Sequence, residues 1–315
     1  TLPPLDASAQ VTLRRVTQDA CCASPRWHPT DANTFHVMDG SSAGAYVLAY
    51  DAVNGTPPEI IGNAPPPFYS SDRTHSIQFG AGLAQITRLT DNTAWSVNTG
   101  GVLPAFNVNN TRLLWLRPEG VSAPGQNAPM TGVWVSNADG TNERQITYAA
   151  GLSGRWLDAD RVLLWHSANR ITALYIYDLA DDSFFELGRW SNLRGLSVAP
   201  GGARLMFYLT FQEDATQNGV HVLETRRDAV AVRLDWFGAW RWRDAESVYY
   251  LPFDPTQTYH ELAYYHIPTG ESRLLTTRTT TPFTVANGDW DVSADGQRIV
   301  FQSAGDYNVW ILEVR

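Results

Sequence analysis

Short apolar runs alternate with turn residues along this chain, and an apolar anchor precedes each set of runs. The anchors recur at intervals of 37 to 50 residues, a spacing typical of stacked supersecondary repeats. The seven anchors are Trp27, Tyr69, Phe106, Trp156, Val198, Trp242 and Val292. The pattern therefore predicts seven copies of one structural unit.

The last repeat shows the strands of this unit most clearly. After Val292 come a turn at 294–296, an apolar strand over 298–302 and a second strand over 309–314. Glycine and aspartate favour the tight turn, and short apolar runs between turns indicate antiparallel sheet. Equivalent strands are predicted at 34–38, 46–51, 76–79, 85–89, 112–116, 133–136, 161–165, 174–178, 205–209, 247–251 and 262–266. No run of ten or more residues has a helical period, so the chain is predicted to be all-β.

Several repeats also contain a fourth short strand that ends in threonine, as at 144–147 and 273–276, whereas the last repeat stops before one. A matching segment, Arg14–Thr17, lies near the other end of the chain. We therefore predict that a strand within about residues 10–17 completes the last sheet and hides its edge. The predicted fold is a seven-bladed β-propeller of four-stranded antiparallel blades, forming a single domain over residues 1–315.

The repeat resembles the TolB-type (WD40-like) β-propeller repeat. That repeat has an aromatic residue, Ser-Pro-Asp-Gly and an apolar strand, followed by a strand that ends in Asn-x-Asp-Gly before Leu-Thr. Segments 292–301 and 133–147 match it best, and the resemblance extends from about Gln10 to Arg315. The resemblance implies a propeller. The namesake of the family has six blades and a separate N-terminal domain, whereas seven repeats and no second domain are predicted here.

The charged residues exclude some classes of binding partner and of chemistry. The net charge is −9, and all 23 basic residues are arginine. A chain with this balance lacks the clustered cations that nucleic acid requires, and it has no lysine for Schiff-base chemistry. No apolar stretch approaches the length of a membrane span, so direct membrane insertion is not expected.

Two features of the sequence bear on the compartment in which the protein resides, namely Thr1 and the pair of cysteines. A start at Thr1 suggests a processed form, and hence a periplasmic, cell-surface or secreted protein. Cys21 and Cys22 are the only cysteines and cannot build a disulfide framework. They either close a vicinal ring, bridge to a partner, or place one side chain in the core and one outside.

Motifs for common catalytic sites are missing from the sequence. The segment 151–154 lacks the Gly-x-Ser-x-Gly spacing of a serine hydrolase, and the seven histidines show no metal-binding spacing. Asp289, Asp291 and Asp295 do not have the spacing of a helix-loop-helix calcium site. We therefore expect neither a metal nor a cofactor.

One set of equivalent positions suggests a binding site. The residue before each anchor falls in the innermost strand, and these residues are Arg26, Phe68, Ala105, Arg155, Ser197, Arg241 and Asp291. Equivalent positions lie at similar depth around a propeller axis, so the three arginines and Asp291 could surround the mouth of the central channel. Such arginines would bind a carboxylate through bidentate hydrogen bonds. The alternative is that each arginine pairs locally with an aspartate of the neighbouring blade.

Two further features suggest binding surfaces. The segment 236–242 contains three tryptophans and is predicted to be a crossing between blades, where an exposed Trp240 could stack on a sugar or anchor a partner. The alternative is burial between blades. Long connections at 117–131, 212–218 and 254–260 are expected on the face that carries these crossings, and loops on a rigid scaffold often bind ligands.

These features lead to a functional hypothesis with open alternatives. The main hypothesis is a non-catalytic scaffold that binds a protein or peptide, with Arg26, Arg155, Arg241, Asp291 and Trp240 at the contact. The first alternative is a propeller hydrolase or lyase that acts on an anionic glycan through Asp289 or Asp291. A second is a non-catalytic carbohydrate-binding module, because propellers carry all three activities.

Overall fold

The computed structural model describes the chain except residues 7, 41–45, 55–57, 64–67, 121–128, 280 and 282. The predicted fold class is confirmed: the described residues form seven four-stranded antiparallel sheets, the blades of a seven-bladed β-propeller. Two compact units are present. Unit 1 comprises Thr1–Pro66 with Trp236–Arg315, and unit 2 comprises Pro67–Asp235.

The strands follow the repeats in chain order, after an N-terminal strand β1 (Val11–Arg15). Blade 1 consists of β2 (Ala23–Trp27), β3 (Thr34–Asp39), β4 (Tyr46–Asp51) and β5 (Glu59–Asn63). Blade 2 consists of β6 (Phe68–Tyr69), β7 (His75–Gly80), β8 (Leu83–Arg88) and β9 (Ala94–Asn98). Blade 3 consists of β10 (Ala105–Phe106), β11 (Arg112–Pro118), β12 (Met130–Asn137) and β13 (Arg144–Ala150). Blade 4 consists of β14 (Leu152–Trp156), β15 (Arg161–Ala168), β16 (Ile171–Asp178) and β17 (Ser183–Ser191).

Three blades complete the chain. Blade 5 consists of β18 (Leu193–Val198), β19 (Arg204–Leu209), β20 (Gly219–Glu224) and β21 (Val232–Arg233). Blade 6 consists of β22 (Gly238–Trp242), β23 (Ser247–Pro252), β24 (Ala263–His266) and β25 (Glu271–Leu274). Blade 7 consists of β26 (Val285–Val292), β27 (Arg298–Ser303) and β28 (Val309–Val314) together with β1. A short 3₁₀ helix, Ala215–Gln217, lies in the connection 212–218, and Asp214 caps it.

Apolar side chains between neighbouring blades form the core of each unit. In unit 1, blade 7 packs on blade 6 through residues such as Tyr249, Trp290 and Phe301. Its other face packs on blade 1 through residues such as Phe35 and Ile311. In unit 2, separate clusters join blades 2 and 3, blades 3 and 4, and blades 4 and 5. Because both faces of a blade are apolar, each blade depends on packing against its neighbours for stability.

The N-terminal strand closes the last blade, as the sequence predicted. Strand β1 pairs antiparallel with β28, from Val11 opposite Val314 to Arg15 opposite Trp310. The predicted segment extended to Thr17, but the strand ends at Arg15. Beyond it the buried Thr17 hydroxyl accepts a hydrogen bond from the Val309 N–H at 2.8 Å. The N–H groups of Val16 and Thr17 also donate to the Val309 carbonyl oxygen, at 2.9 and 3.3 Å, so backbone and side-chain hydrogen bonds together continue the pairing through Thr17.

We expect Thr17→Val to lower the free energy of unfolding by about 1–3 kcal/mol, because it removes the acceptor of a buried backbone N–H at nearly constant volume. The matched control is Thr12→Val on the exposed side of β1, which should change stability by less than about 0.5 kcal/mol. Urea unfolding measures both variants. Equal effects would contradict the role of Thr17 in closing the blade.

The two cysteines are joined to each other by a disulfide. Cys22 lies in the core between blades 1 and 7, and the Gln302 side-chain amide donates to its carbonyl oxygen at 3.1 Å. Of the alternatives left open by the sequence, the structure has the vicinal ring. Within the part of the chain that the structure describes, no helix has the length and apolar character to cross a membrane.

The long connections are only partly described. Most of the connection 117–131, at residues 121–128, lies outside the described residues. In the connection 254–260, Asp254 accepts hydrogen bonds from the Thr256 N–H and hydroxyl, and His260 bridges to Phe283. The prediction that these connections bind a partner remains a prediction.

Candidate functional site

The candidate site in unit 1 is built on the second half of β26. Residues two apart on a strand project to the same face, so Asp289 and Asp291 lie opposite Trp290. Trp290 is only 1% exposed and belongs to the core between blades 6 and 7. Both carboxylates instead contact strand β2 of blade 1. The buried tryptophan thus fixes the strand that presents the two acidic groups.

Asp291 is a half-buried carboxyl with a defined partner. Its Oδ2 accepts a hydrogen bond from the Trp27 N–H at 2.9 Å. Burial raises the pKa of Asp291, while hydrogen bonds from the Trp27 and Val292 N–H groups and the charges of Arg26 and Arg241 act in the opposite direction. Since burial is the largest effect, the protonated form of this carboxyl is favoured relative to an aspartate in water.

Arg26 faces the second carboxylate across the boundary between blades 1 and 7. Its guanidinium lies 3.7 Å from Asp289 Oδ1, and it also donates to the Pro25 carbonyl oxygen at 2.6 Å. The side chain of Arg26 is 44% exposed, compared with 22% for Asp289. Such a long, hydrated ion pair contributes little to stability, so the arginine can exchange this partner for an anion from solution.

Arg241 approaches the same strand from blade 6. It donates hydrogen bonds to the carbonyl oxygens of Trp290, Trp240 and Gly288, at 3.1, 3.0 and 3.3 Å. Its guanidinium carbon lies 5.2 Å from the centre of the Trp290 ring, within the range of a cation–π contact. These contacts hold a fixed positive charge beside the carboxylates.

The structure therefore brings three of the five predicted residues together in unit 1. Arg26 in the first strand of blade 1 and Arg241 in the first strand of blade 6 both approach β26, which carries Asp291. Arg155 lies in β14 of unit 2 and is exposed. Its backbone pairs with Leu163 in the blade, and among the described residues its side chain makes no hydrogen bond or ion pair.

The prediction of an exposed Trp240 in a crossing between blades is wrong. Residues 238–242 form β22, the first strand of blade 6, and Trp240 is 6% exposed. Trp236 is also buried and stacks on Tyr250 with ring centres 4.1 Å apart. Neither indole offers a face to a ligand, which agrees with the alternative of burial.

The alternative of local pairing with an aspartate is correct for Arg26. Arg26 pairs with an aspartate of the neighbouring blade, whereas the hydrogen bonds named above tie Arg241 to backbone carbonyls. The contact between Asp289 and Arg26 was not predicted from the sequence. Its position two residues before Asp291 on one strand is the signal that indicates a shared face.

The described residues contain no group of three or more histidine, cysteine, aspartate or glutamate side chains that could hold a metal ion. The pair Asp289 and Asp291 alone supplies two carboxylates, and the nearest further charges are arginines. Two carboxylates beside two arginines do not fit a resident metal.

The raised pKa of Asp291 predicts how stability depends on pH. The folded state binds more protons than the unfolded state above the ordinary value of 3.8, so the contribution of Asp291 falls as the pH rises through its folded pKa. Asp291→Asn keeps an acceptor for Trp27 and removes this loss. We expect the variant to gain stability relative to the parent as the pH rises above the ordinary value of 3.8.

Asp254→Asn is the matched control for this measurement. Hydrogen bonds from Thr256 lower the pKa of Asp254, so its contribution is present at neutral pH and is lost on acidification. That variant should lose stability relative to the parent as the pH rises. Urea unfolding at a series of pH values measures the free energy of unfolding of both variants and of the parent. If both variants gained stability, or both lost it, relative to the parent with rising pH, the account would be contradicted.

Comparisons with known proteins support the fold. No family model matches the sequence, and no curated protein matches it. The structure is similar to an oligogalacturonate lyase in complex with manganese, at 12% identity and a TM-score of 0.64, covering 99% of this chain and 95% of that one. It is also similar to the oligogalacturonate lyase of Vibrio parahaemolyticus, at 11% identity and a TM-score of 0.63, covering 98% and 95%.

A third similar structure is the β-propeller domain of the trilobed protease from Pyrococcus furiosus. It shows 14% identity and a TM-score of 0.57, with 94% of each chain covered. That domain has an open velcro topology, whereas β1 completes the last blade here. These likenesses support a β-propeller family. The specific TolB-type repeat, for which no family model matches, remains a prediction.

The main functional hypothesis from the sequence is corrected by these matches. It described a non-catalytic scaffold that binds a protein or peptide. Two propellers that are similar over nearly the whole chain are oligogalacturonate lyases. The alternative of an enzyme acting on an anionic glycan is therefore better supported.

Proposed function

We propose that this protein is an enzyme that cleaves an anionic glycan at the junction of blades 1, 6 and 7. The observation that carries the proposal is a half-buried carboxyl of raised pKa, Asp291, placed beside Asp289 and the exposed Arg26. Titratable groups with shifted pKa values are frequent at catalytic sites. The full-length similarity to two oligogalacturonate lyases supports the same class of substrate.

Arg26 is the residue that recognises the negative charge of the substrate. A guanidinium binds a carboxylate through two parallel hydrogen bonds, and Arg26 is exposed and only weakly paired in the free protein. Arg241 adds a second positive charge, fixed by its carbonyl contacts. A uronate sugar is the glycan unit that carries the carboxylate these arginines fit.

The two aspartates differ in environment, which suits them to opposite roles in proton transfer. We assign Asp291, whose protonated form is favoured, as the general acid, and Asp289, which faces the guanidinium of Arg26, as the general base. In an elimination, Asp289 removes the proton from the carbon next to the sugar carboxylate. The bond from the adjacent carbon to the leaving oxygen breaks, a carbon–carbon double bond forms, and Asp291 protonates the leaving oxygen.

Mass spectrometry of the products tests this function. The wild-type protein is incubated with oligogalacturonates, with other uronate oligosaccharides and with neutral galacto-oligosaccharides as the control. We expect cleavage of acidic substrates into fragments whose masses sum to that of the substrate, as elimination requires. Fragments that together contain one additional water would identify a hydrolase instead, and no cleavage of any acidic substrate would reject the proposal.

We also propose a location outside the cytoplasm. The disulfide between Cys21 and Cys22 supports this placement, because disulfides persist in oxidising compartments. Thiol titration of protein isolated from its native source tests the point. Two reactive thiols under denaturing conditions would argue against it.

A further inference from the structure

Burial alternates along the segment that enters blade 6. Trp236 and Trp240 are 9% and 6% exposed, whereas Phe237 between them is 47% exposed. Ala239 is also exposed, and Arg241 is half-buried. Since alternate residues of a strand share a face, Ala239 and Arg241 lie on one face of β22. The exposed Phe237, directly before the strand and hydrogen-bonded to Phe253, continues this stripe.

A second exposed aromatic ring lies beside Phe237. Gly238 pairs with Pro252, and the Phe253 N–H donates to the Phe237 carbonyl oxygen at 2.9 Å. The two phenyl rings meet edge to face, with centres 5.9 Å apart, and Phe253 is 65% exposed. Because backbone pairing holds both residues, this aromatic pair is a preformed surface.

The surface between the aromatic pair and Arg241 is lined by small residues. Ala239 is exposed, and a Cβ built at Gly288 would have open space around it. Gly288 is also the residue whose carbonyl oxygen binds Arg241. At the usual rise of a strand, four residues separate Phe237 from Arg241 by about 13 Å, the length of a short oligosaccharide.

We propose that Phe237 and Phe253 form a stacking subsite for a sugar ring of the same anionic glycan, several residues away from the bond that is cleaved. This inference rests on the proposed function and adds that the enzyme prefers longer oligosaccharides. The apolar face of a sugar ring packs on an aromatic surface, and the stripe leads from that surface to the positive charge of Arg241. The occupant is therefore a polymer that carries both features, an acidic oligosaccharide.

Calorimetric titration with an oligogalacturonate length series tests the subsite. The wild type should bind the hexamer more tightly than the dimer. In the double variant Phe237→Ala with Phe253→Ala, hexamer affinity should fall about tenfold, as expected for the loss of two aromatic contacts, and the preference for length should largely disappear. Phe211→Ala is the control, since Phe211 is 77% exposed but belongs to blade 5.

A second variant tests whether the oligosaccharide lies along the stripe between the aromatic pair and Arg241. Ala239→Trp places a large side chain on the exposed stripe and should weaken hexamer binding more than dimer binding. Unchanged length dependence in both variants would overturn the subsite. If the wild type cleaves acidic oligosaccharides yet shows no preference for length, only the subsite fails. If it neither binds nor cleaves them, the proposed function and the subsite fail together.

Discussion

Replacing Asp291 by asparagine is expected to reduce turnover of an acidic oligosaccharide by about 10²–10⁴-fold, the usual effect of losing a general acid. The asparagine side-chain oxygen still accepts the hydrogen bond from the Trp27 N–H, so the strand keeps its position. The change removes the transferable proton without removing the contact. Initial rates at saturating substrate measure the effect.

Asp295→Asn provides the matched control on the same blade. Asp295 accepts hydrogen bonds from the Ser293 hydroxyl and the Gln297 N–H in the turn between β26 and β27, and asparagine accepts both. Its turnover should equal that of the wild type. Wild-type turnover by Asp291→Asn would exclude Asp291 as the acid.

Replacing Trp290 by alanine is expected to lower the free energy of unfolding by about 3–5 kcal/mol, as for other large-to-small core substitutions. The indole is 1% exposed, and it packs among residues of blades 6 and 7 such as Tyr249 and Phe301. Its removal leaves a cavity and withdraws the ring beside Arg241. Chemical denaturation measures the loss.

The control for this core substitution is an exposed aromatic residue. Phe211 is 77% exposed, so Phe211→Ala should change the free energy of unfolding by no more than about 0.5 kcal/mol. A similar small change for Trp290→Ala would show that the boundary between blades 6 and 7 is not a packed core.

The blades were predictable because each repeat carries the same local signals. Apolar runs and glycine turns set the strands, and the residue before each anchor falls in the first strand of its blade, as Arg26, Arg241 and Asp291 do. Closure was also predictable, since the strand missing from the last repeat had a counterpart near the start. The exact end of β1 was not predictable, because the Thr17 hydroxyl oxygen, in place of a backbone carbonyl, accepts the hydrogen bond from the Val309 N–H.

Contacts between blades were harder to predict. Trp236, Phe237 and Trp240 fall in a run of apolar residues, and a one-residue change in phase exchanges the buried and exposed faces of a strand. Asp289 lies in the irregularly paired part of β26, between Val285 and Trp290, and it faces Arg26 there. The spacing of Asp289 and Asp291 indicates that they share a face of the strand, but which residues of the neighbouring blades meet that face is set by long-range packing.

The functional hypothesis failed for a related reason. The sequence lacks the motifs of familiar catalytic sites, and this absence favoured a scaffold. The candidate site instead combines side chains from strands β2, β22 and β26, which are far apart in the chain. A site of this kind becomes visible only when the blades are assembled, so the alternative based on Asp289 and Asp291 needed the structure for support.

The most direct test of the account compares cleavage of an oligogalacturonate with cleavage of its methyl ester, by the wild type and by Arg26→Ala. The account predicts that the wild type prefers the free acid. It also predicts that Arg26→Ala loses about 10–100-fold on the free acid, the effect of one charged hydrogen-bonding partner, and far less on the ester. Equal rates on both substrates, or an Arg26→Ala variant with the wild-type preference, would contradict it.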